Sequence, residues 1–475
     1  QEYQRQRASI ILFYNAGIES RRVEERLRRE LAISDFNAFL ATAPPDPSVT
    51  PDVLYRLAEL YYEKETDAYN QRNEAYQAAL EQFERGIIAD EPEAAHKDYT
   101  QTVATFERVL TEYPDYRQAD GVLYLLGICY ADAGDDRAGQ TWNKLVERYP
   151  TSRFAQEGWL RIGEHYFSDD RFREAKAAYD KALAFPKSRI TDKIVFKLGW
   201  TQYLLGDFDN SIRTFQKLLE LYANNGGGET ALKQETIDYI AIILAEEDWD
   251  NDGATDNDFG VNRARRYLGE KNDEETMLVV DKLVGNLMAN DKFSSAVDVI
   301  RDALARAPED PDNPRRHDVI VKAYYSMNQP AQAVDELRRM GQLYGPGSDW
   351  YHAQERLGNT DAMAYAEEIA RSSLLQSAQN YYMTASEQLT AYMASNPRDP
   401  GLKARASETF RFAANIYEQF IKDYPTDPAV DQSRLERAQA LFNSEDYLTA
   451  AAEFDAVRES PTAGEFRASA AEQAI

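Results

Sequence analysis

Asp248, Asp250 and Asp252 alternate with other residues ahead of Gly253, in the run EEDWDNDGATDNDFG at 246–260, where seven of fifteen residues are acidic and none is basic. Carboxylates at every second position can converge inside a tight loop, and a glycine after the third lets the chain reverse sharply enough to close around a hard cation. The expected ligand set is Asp248, Asp250, Asp252, the carbonyl of Ala254, Asp256 and Asp258, and the expected ion is Ca2+ in a structural role. Position 12 of the loop, where a bidentate Glu completes a tight calcium site, is Phe259. Asp258 replaces it only in part, so the expected affinity is of the weak extracellular kind, about 10⁻⁴ to 10⁻³ M. The competing reading is an acidic turn left in water, the usual state of an acid run. Against it, five Asp between 248 and 258 repel one another in a compact turn unless a cation or water screens them.

No second constellation reads as an active site. His96, His165, His317 and His352 are scattered, and none has a Cys or an acid at a recurring metal-ligand spacing. NNGGG at 224–228 lacks the Lys-Ser/Thr of a phosphate-binding loop and reads as a linker. The single cysteine, Cys129 within LLGICY, excludes an internal disulfide and a cysteine-based zinc cluster, and is expected as a small buried hydrophobe. With 81 Asp and Glu in the chain, a pair of carboxylates discriminates nothing. The chain is expected not to be an enzyme.

Bulk properties narrow the remaining classes. The 475 residues are 43% hydrophobic and include 30 Tyr and 20 Phe, which marks a folded chain rather than a disordered one. A formal charge of -27 disfavours nucleic acid and anionic membrane surfaces as partners. RRVEERLRRE at 21–30 is locally basic and reads as a solvated helix face with i,i+4 pairs. No apolar run approaches the roughly 18 residues of a membrane span, so none is expected. The chain starts at Gln1 without an initiator Met, so a preceding segment is expected; a signal peptide and a lipid anchor are both compatible with that start.

Elements that could position a loop or a binding surface emerge from internal repetition. Gly127, Gly163 and Gly199 lie 36 residues apart within LLGICY, RIGEHY and KLGWTQY. Ala138, Ala175 and Ser211 follow, each with a bulky ring four residues on (Trp142, Tyr179, Phe215) and then Leu145, Ala182 and Leu218. Apolar residues fall at i, i+3, i+4 and i+7, broken by the polar turns GDDR, SDDR and GDFD, so each unit is two antiparallel helices. Degenerate copies run through TFERVLTEYP, KFSSAVDVIRDALARAP, QPAQAVDELRRM, IYEQFIKDYP and YLTAAAEFDAV.

This pattern resembles the tetratricopeptide repeat (TPR), although the units run to 36 or 37 residues and Gln202 stands where the spacing calls for an aromatic. The resemblance implies an all-α fold, a helix-turn-helix superhelical solenoid, here with two longer helices at 52–88 and 360–395. The expected divisions are 1–43, a helical segment; 44–225, a first repeat block; 226–345, a middle block carrying the Asp-rich insertion; and 346–475, a long helix with a last block. If the repeated glycines face the second helix of each pair, residues three before and one after them project into a groove. That gives Tyr124, Ile128, Leu160, Glu164, Phe196 and Trp200, with Phe167 and Tyr203 one turn on, as a partner-binding surface. The competing reading is that several of these pack on a neighbouring helix. The face lacks the Lys, Asn and Arg clamp with which some TPR proteins hold chaperone C-termini.

The F-x-x-L-x-x-x-YP endings and VLYRLAELYYEK at 53–64 are similar to bacterial envelope TPR proteins: outer-membrane assembly lipoproteins, Tol-Pal-associated periplasmic proteins and myxobacterial-type gliding or envelope machinery. The Asp loop is likewise similar to the short DxDxDGxxD calcium loops of secreted bacterial proteins. Together these imply a noncatalytic scaffold whose partners are other proteins of an envelope complex, in the periplasm or at the outer-membrane periphery of a Gram-negative bacterium. A cytoplasmic TPR adaptor or regulator is the first alternative. A helical-repeat peptidoglycan enzyme of the lytic transglycosylase type is the second.

Overall fold

The structure is a computed structural model and describes residues 2–224 and 231–473. It contains twenty-one α-helices and, among the described residues, no strand. The chain forms two compact units, Gln1–Leu221 and Tyr222–Ile475.

The first unit is built from α1 (Glu2–Thr42), α2 (Thr50–Glu84), α3 (Thr100–Glu112), α4 (Ala119–Asp132), α5 (Arg137–Arg148), α6 (Ala155–Ser168), α7 (Phe172–Leu183), α8 (Thr191–Leu204) and α9 (Phe208–Asn224). One turn joins α4 to α5, α6 to α7 and α8 to α9. Gly134, Asp170 and Gly206, again 36 residues apart, adopt left-handed backbone angles of 67°, 58° and 72°. The next amide then donates back to the carbonyl five residues earlier: Asp135 to Tyr130, Arg171 to Tyr166 and Asp207 to Gln202, at 2.8 to 2.9 Å. This is the Schellman termination, which satisfies a carbonyl the ending helix would leave unpaired. The polar turns therefore set the reversal geometry as well as interrupting the apolar pattern.

The repeated glycines explain how close the helices come. A Cβ on Gly127 would sit 2.2 Å from the Trp142 indole nitrogen, one on Gly163 2.3 Å from the Tyr179 ring, and one on Gly199 2.8 Å from the Phe215 ring. Each ring of the second helix therefore rests on bare backbone of the first. Trp142 also donates through Nε1 to the Tyr124 carbonyl at 3.3 Å. Around the middle seat, Leu160, Ala175, Tyr179, Ala182, Ile194 and Leu198 form one buried cluster.

The second unit contains α10 (Ala231–Leu244), α11 (Val261–Leu268), α12 (Glu274–Ala289), α13 (Phe293–Arg306), α14 (Asn313–Ser326), α15 (Pro330–Tyr344), α16 (Asp349–Leu357), α17 (Thr360–Ala394), α18 (Pro400–Asp423), α19 (Val430–Asn443), α20 (Tyr447–Glu459) and α21 (Phe466–Gln473). The same turn recurs at Asp291, Asn328 and Glu445, all with positive φ, and with the matching bonds Lys292 to Leu287, Gln329 to Tyr324 and Asp446 to Leu441. Inside this unit a polar network is buried between α13, α14 and α15. His317 lies 2.8 Å through Nε2 from Glu336 Oε2 and 3.3 Å through Nδ1 from the Tyr344 hydroxyl, and Arg301 donates to Glu336 Oε1 at 2.8 Å.

The two longer helices appear as α2 and α17, each of 35 residues, and α1 (41 residues) and α18 (24 residues) are long as well. Of the expected divisions, the one at 225/226 lies outside the described residues. The one at 43/44 falls within the first unit, where Ile33 of α1 packs with Leu57 and Leu60 of α2. The one at 345/346 falls within the second, where Tyr344 packs edge-on against Trp350.

Candidate interaction surface and acidic loop

Helices α4, α6 and α8 are the first helices of successive pairs, and with their glycines turned to the second helices they present another face outward. The expected surface residues divide on it. Leu160 and Phe196 are 1% and 5% exposed, so they belong to the core. Phe196 lies 5.8 Å from the Phe215 ring. The reason is angular: a residue three before the glycine is only about 60° from it round the helix and still meets the packing face. Ile128 is half-buried against the core of the first unit, and Tyr124 is stacked on Phe154 with ring centroids 4.8 Å apart. Glu164, Phe167, Trp200 and Tyr203 are half-exposed. Phe167 and Trp200 touch across α6 and α8 with centroids 4.8 Å apart, whereas Tyr203 packs locally on Phe208 at 5.7 Å.

What joins these residues was absent from the expected set. Arg161 of α6 donates to Glu157 at 3.3 Å and to Glu164 at 3.1 Å, and Lys193 of α8 lies 2.7 Å from the other Glu164 oxygen. Lys197 sits 5.0 Å from the Trp200 ring centre and 5.3 Å from that of Phe167, within cation–π range. Burial, then a hydrogen bond to Glu157, push the Tyr124 phenol above its ordinary value. Glu157, Arg161, Lys193 and Lys197 are the residues six and two before Gly163 and Gly199, about 120° and 160° from the packing face. That spacing is the signal that finds them. Beside this lattice, Asp135, Arg161, Glu164, His165 and Asp169 help to line a cleft of about 360 Å³.

The 36-residue recurrence, the left-handed turns and the ring-on-glycine seats define the repeat, and tetratricopeptide repeat family models match residues 52–116, 122–152 and 195–225, and 401–464. The chain carries tetratricopeptide repeats. The α6–α7 pair of this TPR protein lies between matched segments and repeats their geometry. No curated protein matches the TPR chain. Among solved structures, it is similar to the C-terminal part of a TPR repeat-containing protein from Cytophaga hutchinsonii: 16% identity over 65% of this chain and 95% of that one, TM-score 0.34. It is also similar to a TPR protein from Parabacteroides merdae: 14% identity over 55% and 92%, TM-score 0.27. TPR proteins are in general noncatalytic scaffolds for protein partners. No helix among the described residues of this one is long and apolar enough to cross a membrane.

The acidic loop of the TPR protein joins α10 to α11 and is organised from its centre by Arg263, which is fully buried. The guanidinium lies 4.2 Å from the Trp249 ring centre, donates to the Glu246 carbonyl, and pairs with Asp256 at 2.5 Å and Asp258 at 3.1 Å. Arg266 holds the second oxygen of Asp258 at 3.2 Å. Asp258 is thereby drawn to the two arginines and away from the expected ligand set, because a buried guanidinium requires carboxylate partners. Asp248, Asp250 and Asp256 do converge, each offering an oxygen within 4.8 Å of the others. Asp252 accepts the Ala254 amide at 2.8 Å, and its own amide donates to Asp248 and Asp250 at 3.1 Å. The Gly253 amide is the main influence holding the Asp248 carboxyl below its ordinary value. At Asp250 the Asp252 amide pulls the same way, but desolvation and the neighbouring carboxylates outweigh it and push that group up.

Proposed function

We propose that this TPR protein is a noncatalytic scaffold of a bacterial envelope assembly, in the periplasm or at the outer-membrane periphery, and that it receives protein partners on the α4–α6–α8 face. The observation that carries the reading is the lattice linking Glu157, Arg161, Glu164 and Lys193 beside the Phe167–Trp200 pair. Half-exposed aromatics supply apolar anchors, and fixed charges around them select orientation. The envelope location rests on the resemblance of the repeat endings, and a lipid anchor upstream of Gln1 belongs to the same reading.

A photo-crosslinker placed at Trp200 or Lys193 is expected to capture envelope proteins, and one at Lys144 on α5 is not. Trp200→Ala with Lys193→Glu should then weaken the captured complex by about tenfold or more. Equal capture from both positions, or capture of cytosolic proteins alone, overturns the proposal.

Calcium in the acidic loop is the second part. Its support is the convergence of Asp248, Asp250 and Asp256 and the crowding that raises Asp250. The ion would fix the loop by sharing the Asp248 oxygens, which accept the Asp252 and Gly253 amides, and by binding Asp250 and Asp256 beside them. Trp249, packed beside Arg263, reports on it: its fluorescence is expected to respond to Ca2+ with a Kd of about 10⁻⁴ to 10⁻³ M. Asp248→Asn with Asp250→Asn should abolish that response. A flat calorimetric titration of the wild type at millimolar Ca2+ would remove the calcium part and leave the scaffold intact.

A further inference from the structure

Among the described side chains of helix α1, one face packs on α2. Ala32, Ile33, Phe36 and Leu40 meet Leu57 and Leu60, and the buried Arg29 pairs with Asp67 at 2.5 Å. About 120° round the helix from Ile33 runs a second apolar stripe. Val23, Leu27 and Leu31 are 45%, 61% and 65% exposed, and no described residue covers them. Three large aliphatics in successive turns of one helix form an apolar patch in water, unlike singly scattered surface hydrophobics.

We infer that this stripe pairs antiparallel with the same stripe of a second copy of the chain. In an antiparallel pair with Leu27 on the two-fold axis, residue i lies opposite residue 54 − i. Val23 then meets Leu31 and Leu27 meets Leu27, so the exposed stripe reads the same from either end. Its flanks are self-complementary in charge. On one side, Glu24 and Arg28 are 61% and 77% exposed and already 2.6 Å apart, and the two-fold sets Arg28 within one turn of Glu24 of the second copy. On the other side the sequence places Arg26 and Glu30 in the mirrored order. Antiparallel pairing also opposes the two helix dipoles. In a chain of charge -27, the locally basic run at 21–30 lets two copies approach with less repulsion than an acidic face would. A contact between two helices is small beside the roughly 1,600 Å² of a standard interface, so the dimer dissociates in the micromolar range.

Sedimentation equilibrium of the whole chain from about 1 to 100 µM is expected to show the mass doubling as concentration rises. Leu27→Glu with Leu31→Glu keeps it monomeric throughout, with an unchanged helical signal because both residues face solvent. Glu24→Arg alone weakens the dimer, and Glu24→Arg with Arg28→Glu restores it. A short bismaleimide then fixes the geometry, since the native Cys129 is fully buried. Leu27→Cys cross-links with itself, Val23→Cys cross-links with Leu31→Cys from a second preparation, and neither of those two cross-links alone, as like positions lie about 12 Å apart along the axis. A wild type that stays monomeric at 100 µM, a dimer indifferent to the Leu27 and Leu31 changes, or efficient cross-linking of Val23→Cys with itself overturns the inference.

Discussion

Tyr179→Ala is expected to lower the stability of the first unit by about 3–5 kcal/mol, whereas Tyr179→Phe leaves it unchanged or raises it by about 1 kcal/mol. The ring is fully buried on Gly163 and inside the cluster formed with Leu160, Ile194 and Leu198, so truncation empties a seat that backbone alone cannot refill. The hydroxyl, by contrast, is buried with no hydrogen-bond partner among the described residues, and burial pushes it above its ordinary pKa. Removing it discards an unmet polar group. Urea midpoints of the two variants measure both effects. A phenylalanine as damaging as alanine would mean that the hydroxyl, not the ring, holds the seat.

The second large effect is a pH dependence in the other unit. Burial pushes the Glu336 carboxyl up, but hydrogen bonds from His317 and Arg301, with the charges of His317 and Arg339, outweigh it and hold the group at about 2. A folded value below the ordinary 4.5 favours the native state above that pH, and the contribution is lost as pH falls through the range from 4.5 towards 2. A depression of this size corresponds to about 3 kcal/mol at neutral pH. Glu336→Gln is therefore expected to destabilise the protein by about that amount at pH 7, by an amount that shrinks steadily below pH 4.5. Denaturant titrations of both forms across pH 2 to 7 test it. A gap that stays constant with pH would remove Glu336 as the source.

The repeat architecture was legible because each element of it leaves a local mark. Glycine, ring and turn recur at fixed spacing, and the pairs α4–α5, α6–α7 and α8–α9 follow from them directly. The outward face was only half legible. Glu164, Phe167 and Trp200 are half-exposed, but Leu160 and Phe196 are core, since the offset of three residues points too near the packing side. Glu157, Arg161, Lys193 and Lys197 were passed over because charged residues at helical spacing look like any solvated face. Their roles depend on pairing between helices, as in Glu164 with Lys193, and periodicity along one helix does not encode it. Arg263 was missed for a similar reason. A lone arginine in an amphipathic stretch gives no sign that Trp249, Asp256 and Asp258 close around it.

Three seats of identical backbone design invite a stacking error in which the chain slips by one repeat and a ring docks on the wrong glycine. The rings differ, however: an indole on Gly127, a phenol on Gly163 and a phenyl on Gly199. A slip that brought Tyr179 to Gly127 would leave part of the indole's space empty and the Tyr124 carbonyl without its Nε1 donor. Variation in ring size along an otherwise regular series thus works as an address. It lets a chain built from near copies of itself distinguish its own repeats while it folds.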